Sequence, residues 1–149
     1  DVYGYLPLSK DKIASSADMT QRFVLSYATF RYDEDPISYA ERLKAFTTNE
    51  FGESLTRTVT SPALVQRNKN DQIVSHGSAR VKTIRDMTSH SIVWVVSATE
   101  RITATSGPSQ RTDDYAVTLI RSGDAWRVYD MEPADAGQDG DSAGSGGAA

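Results

Sequence analysis

Met19, Phe23, Tyr27 and Phe30 recur at helical spacing with Val24 beside them, which describes one apolar helix face. Ser15 or Ser16 can cap its start, so a first helix is predicted over about residues 16–32. Residues 1–14, where Tyr3, Tyr5, Leu6 and Leu8 surround Pro7, read as an extended arm or tether. Asp35 followed by Pro36 is an N-cap with proline at the first helical position, opening a second helix that carries Ile37, Ala40 and Leu43. Thr47, Thr48 and Asn49 interrupt it. Phe51 and Leu55 then share one face of a third helix over residues 50–55, and Ser61-Pro62 opens a fourth that runs to Arg67.

From Asp71 the helical period gives way to β-branched residues in alternation. Four strands are predicted, at about 73–85, 91–105, 112–122 and 125–132, joined by short turns and therefore antiparallel. In the second, Ile92, Trp94, Val96 and Ala98 point one way while Val93 and Val95 point the other, as in a central strand. In the fourth, Trp126 and Val128 share a face with Asp130, and Tyr129 and Met131 take the opposite one. Helices first and a curved sheet second make an α+β domain over residues 15–133, with the helices packed on a four-stranded antiparallel sheet.

Composition changes this picture in two places. Residues 134–149 contain no branched aliphatic or aromatic side chain and cannot build a core, so they read as a disordered acidic Gly/Ala-rich tail. That tail holds Asp135, Asp139 and Asp141, three acids of a chain whose net charge is −4, and the folded part is left nearly neutral. A strong nucleic-acid footprint is therefore missing. The locally basic stretch from Arg57 to Arg85 reads as a solvated strand face. With no cysteine in the sequence, neither disulfides nor thiolate metal sites are possible, and no apolar run reaches the length of a membrane span.

Candidate chemistry is sparse. His76 and His90 are the only histidines; a turn near Met87 and Thr88 would set His76 opposite Thr99 and His90 near Arg85, too far apart to act together. Asp139, Asp141 and Gly144 begin a calcium-loop pattern, but Ala143 stands where the next ligand belongs and the closing glutamate is missing. No nucleophile elbow, phosphate loop or zinc-helix motif is present. One enzymatic arrangement remains: a carboxylate, Asp130, inside the curved sheet with Tyr27 and Tyr115, of the kind used for proton transfer beside a stabilised enolate. A cavity filled by Phe23, Tyr27, Trp94 and Trp126 would leave no room for it. The expectation is accordingly no catalytic, cofactor-binding or metal-binding residue.

The stretch QRFVLSYATFRYDEDPISYAERLKAFTTNEFGESL and the closing DDYAVTLIRSGDAWRVYDMEP resemble the nuclear-transport-factor-2-like superfamily. Within it, the YDEDP break, RLKAFTTNEF and the terminal hairpin are similar to extracytoplasmic domains of membrane-anchored Gram-positive and actinobacterial conjugative-transfer proteins, relatives of type IV secretion inner-membrane assembly factors. The resemblance spans residues 16–133. It implies a cone-shaped, cystatin-like fold, a single membrane helix before Asp1, and a domain outside the cytoplasmic membrane. Such a domain would touch other proteins of a transfer or secretion complex, with a homo-oligomer among the arrangements, and would bind no nucleic acid and catalyse nothing. Membrane proteins associated with lipid importers share the layout, which leaves a ligand-binding cone in envelope transport as a second reading and a small ketosteroid-isomerase-like enzyme as a third.

Overall fold

The computed structural model describes residues 6–135; the expectations for residues 1–5 and for 136–149 lie outside them. The first helix, α1, spans Lys10–Tyr27 and starts earlier than the sequence suggests. Its cap is Ser9, whose hydroxyl accepts from the Lys12 amide at 3.2 Å. Ser15 and Ser16 lie inside the helix and return their hydroxyls to the carbonyls of Lys12 and Ile13. Residues 10–14, read as part of an arm, are therefore helical. Leu8 before the cap and Ile13 on the first turn both join the core, the arrangement of a hydrophobic staple.

The same helix stops at Tyr27 rather than at 32. Phe30 and Arg31 leave it to form a short strand, β1 (Phe30–Arg31), paired with Ser75 and Val74. The sheet consequently has five strands, not four. Helix α2 (Pro36–Lys44) begins where Asp35-Pro36 indicates, with the Asp35 carboxylate accepting from the Ile37 amide at 3.1 Å. Helices α3 (Asn49–Val59) and α4 (Pro62–Asp71) both run a full turn longer than their apolar spacing suggests. Gln72, at φ 50°, closes α4 in the left-handed conformation.

Strands β2 (Val74–Met87), β3 (Ser91–Thr103), β4 (Ser109–Ser122) and β5 (Ala125–Pro133) follow as an antiparallel meander in sequence order. Two register shifts in β2, at Lys82 and Arg85, curl the sheet over the helices. The hairpin turns later than expected, at residues 88–90, and with the two shifts this sets His76 opposite Arg101 instead of Thr99, while His90 falls in the β2–β3 turn and does not pair with Arg85. On the inner face Ile92, Val96, Val117, Leu119 and Val128 are fully buried against Phe23, Val24 and Leu43. Here α1 lies in the trough of the sheet and excludes water from its closed end.

The open edge of β5 is covered from the helical side. Val128 donates to the Phe46 carbonyl and accepts from the Thr48 amide, so the α2–α3 connection acts as a short sixth rung. Past Pro133 the chain turns back over the sheet. Arg85 of β2 reaches the Ala134 carbonyl at 3.1 Å although β3 and β4 separate the two strands, and Ala134 is buried. Ala134 thus belongs to the packed domain.

Candidate functional site

The strand register decides which of the predicted residues can meet. A third register shift lies between Thr118 and Leu119, with Val128 opposite Leu119 and Asp130 opposite Thr118. Tyr129 is the extra residue, and it reverses the alternation of β5. Asp130 therefore joins Thr118 and Val93 on the outer face, and Met131 rather than Asp130 faces the core. The carboxylate expected inside the sheet is not Asp130. Tyr27 and Tyr115 do meet there, edge to face, with ring centroids 6.1 Å apart. Both histidines are exposed, at opposite ends of β2.

The acid that does face inward is Glu100. The alternation of Ile92, Trp94, Val96 and Ala98 on β3 continues into it, and it is only 8% exposed. Arg111 stands directly opposite on β4 and donates to Glu100 Oε1 at 2.6 Å; the same guanidinium lies 3.2 Å from Asp113. Extending the alternating pattern one pair further along β3 would have found Glu100 from the sequence.

Around this pair the wide end of the sheet opens into a cleft of about 520 Å³. One wall is aromatic: Tyr27 at the end of α1, Phe30 on β1, Tyr32 in the loop after it and Tyr39 on α2. The opposite wall is aliphatic, with Val59 from α3, Leu64 and Val65 from α4, Ile73 just before β2 and Ile102 on β3. Arg31 and Arg67 also line the cleft. The closed end of the sheet holds no such space, because Phe23, Trp94 and Trp126 fill it.

The aromatic wall is fixed in place. Tyr39 donates its hydroxyl to the Tyr27 carbonyl, which ties α2 to the end of α1. Arg42 stacks over the Tyr39 ring at 5.1 Å, pairs with Glu34 and donates to the Thr29 carbonyl. Burial, and secondarily the neighbouring Glu100 charge, pushes the Tyr27 phenol above its ordinary pKa. Burial raises Tyr39 as well, and Tyr115 is pushed up to about 12 by burial and then by Tyr27. All three are neutral hydrogen-bonding groups at physiological pH. Among the described residues no group of three or more His, Asp or Glu side chains is placed to hold a metal ion.

No protein-family model matches the sequence, and no curated protein matches it. The fold is shared with solved structures, among them the following. The periplasmic domain of DotI superposes with a TM-score of 0.61 at 8% identity, over 80% of this chain and 92% of that one. An IcmL-like type IV secretion system protein from Legionella pneumophila gives 0.59 at 9% identity, over 80% and 89%. A periplasmic fragment of TraM gives 0.55 at 7% identity, over 80% and 94%. In each case the likeness takes in nearly the whole of the other chain, so what is common is a complete domain rather than a shared hairpin.

Proposed function

We propose that this chain is the extracytoplasmic domain of a component of a type IV secretion or conjugation complex, and that it works by protein contacts rather than by catalysis. The observation that supports this most is the near-complete overlap with periplasmic domains of DotI and TraM and with an IcmL-like type IV secretion system protein. The order of helices then curled sheet is also that of the nuclear-transport-factor-2-like cone, of which we take this fold to be a variant. No helix among the described residues is long and apolar enough to cross a membrane.

Cross-linking in the native envelope, followed by purification on this chain from the membrane fraction, tests the reading. The expected result is recovery of other secretion-complex proteins, including its ATPase. A chain recovered alone and monomeric from the soluble fraction would overturn it. The cleft beside Glu100 favours a second reading, a ligand-binding domain in envelope transport, for which neighbouring lipid-importer genes would be the sign.

A further inference from the structure

We infer that the cleft at the wide end of the sheet is a binding pocket for an organic cation, an amine or guanidinium carried on an apolar body. Its floor is an acid with spare capacity. Glu100 is more than nine-tenths buried and lines the cleft, yet only Oε1 is engaged; Oε2 takes no hydrogen bond from the described residues. Nor is the charge of Glu100 fully cancelled. Arg111 is divided between Glu100 and Asp113, two carboxylates against one guanidinium, so Glu100 does not have its counter-charge to itself.

The walls favour the same ligand sign. Tyr27, Phe30, Tyr32 and Tyr39 line the cleft, and although Arg42 already covers one face of Tyr39, the negative quadrupole of a free ring face attracts a cation. An anion would find less. Arg31 is forked onto Asp33 by bonds of 2.8 and 3.1 Å, Arg111 is held as described, and Arg67 is exposed. A carboxylate or phosphate at the floor would lie against the free oxygen of Glu100. The volume of about 520 Å³ suits one ring-bearing amine, or one basic side chain with its neighbour. Nothing in this inference depends on the secretion reading, since the pocket would persist in a chain that joined no complex.

A heteronuclear NMR titration of the whole chain tests it, with phenylethylamine as the cationic probe and phenylpropionate as an anion of similar shape. The amine should shift the amides of Glu100, Ile102 and Arg111 saturably and the anion should not. Glu100→Gln should weaken amine binding about tenfold or more, the loss expected for one hydrogen bond to a charged group. Asp130→Asn, on the outer face, should leave it unchanged. A parallel arm uses a blocked Phe-Lys dipeptide and its Nε-acetyl-lysine counterpart. Tighter binding of the lysine dipeptide than of phenylethylamine assigns the pocket to a partner's basic side chain, the reverse order assigns it to a free amine, and both support a cation site. Equal or stronger binding of phenylpropionate by the unmodified chain overturns the inference. So does undiminished amine affinity in a folded Glu100→Gln variant, or no saturable shift with the amine.

Discussion

Trp94 donates its indole N–H to Ser16 Oγ at 2.8 Å in the buried interior, joining the central strand to the first turns of α1 across 78 residues of sequence. Ser16 in turn donates to the Ile13 carbonyl at 2.7 Å, so one hydroxyl serves both the helix and the sheet. Ser16→Ala leaves the indole donor without a partner at a buried site. The expected cost is about 1–3 kcal/mol, read as a lower urea midpoint with an unchanged slope. In Trp94→Phe the donor is gone, so adding Ser16→Ala to it should cost clearly less than Ser16→Ala alone. Additive losses in that double-mutant cycle would show that the bond contributes nothing to stability.

Gly77 is a second place where helix and sheet are joined, this time by close approach. A Cβ built on it would lie 2.6 Å from Ala28 Cβ and 2.7 Å from the Ala28 carbonyl carbon, both at the end of α1. Ser75 also donates to the Ala28 carbonyl at 2.7 Å, so the helix end cannot simply move away. Gly77→Ala should therefore destabilise the domain by about 1–3 kcal/mol, as overpacking of a rigid contact does. Adding Ala28→Gly removes the Cβ overlap but not the overlap with the backbone, and should rescue stability only in part. Full stability of Gly77→Ala in denaturant unfolding would show that α1 can shift without loss.

Much of this architecture is legible in the chain, and the exceptions share a physical cause. Asp35-Pro36 and the alternation from Ile92 to Ala98 act locally, and α2 and the central strand form where they indicate. The start of α1 was harder to see because Ser9 and Ser16 are equally good capping residues. Leu8 and Ile13, which select Ser9, matter only once there is a sheet to pack on. The two-residue strand β1 exists through its partners Val74 and Ser75, and no pattern of its own announces it. The candidate site failed for the same reason. One bulged residue, Tyr129, turned Asp130 outward, and bulges leave no periodic trace. Glu100 could have been found, since it continues an alternation already recognised.

Asp71 closes the wide end of the fold by linking the end of α4 to the β3–β4 turn. Its carboxylate accepts from Thr105 Oγ1 at 2.6 Å, the Ser106 hydroxyl at 2.7 Å and the Ser106 amide at 3.0 Å. These bonds, the Thr105 hydroxyl first, hold its pKa below the ordinary carboxylate value. For a carboxyl whose folded pKa is depressed, the stabilisation is present above the unfolded pKa and is lost as pH falls through the folded value. Asp71→Asn should thus lower the thermal midpoint at neutral pH and make the remaining acid dependence shallower. An identical acid limb in wild type and variant would show that Asp71 is not coupled to folding.

At the alkaline end the sign reverses. Tyr115 titrates at about 12 because it is partly buried and lies near Tyr27, and burial raises Tyr27 and Tyr39 as well. The unfolded chain releases these phenolic protons near pH 10, before the folded chain does, so above that pH the folded state binds more protons than the unfolded one. Stability is then whole below about pH 10 and declines as pH rises toward the folded values. A urea-midpoint series should be level across neutral pH and fall above about pH 10, and tyrosinate absorbance of the folded chain should show a late class of phenols among its seven tyrosines. Tyr115→Phe should remove part of that late class and of the alkaline decline. If all seven tyrosines ionise together near pH 10 while the chain is still folded, the aromatic wall beside Glu100 is open to water and the cleft is wider than its geometry indicates.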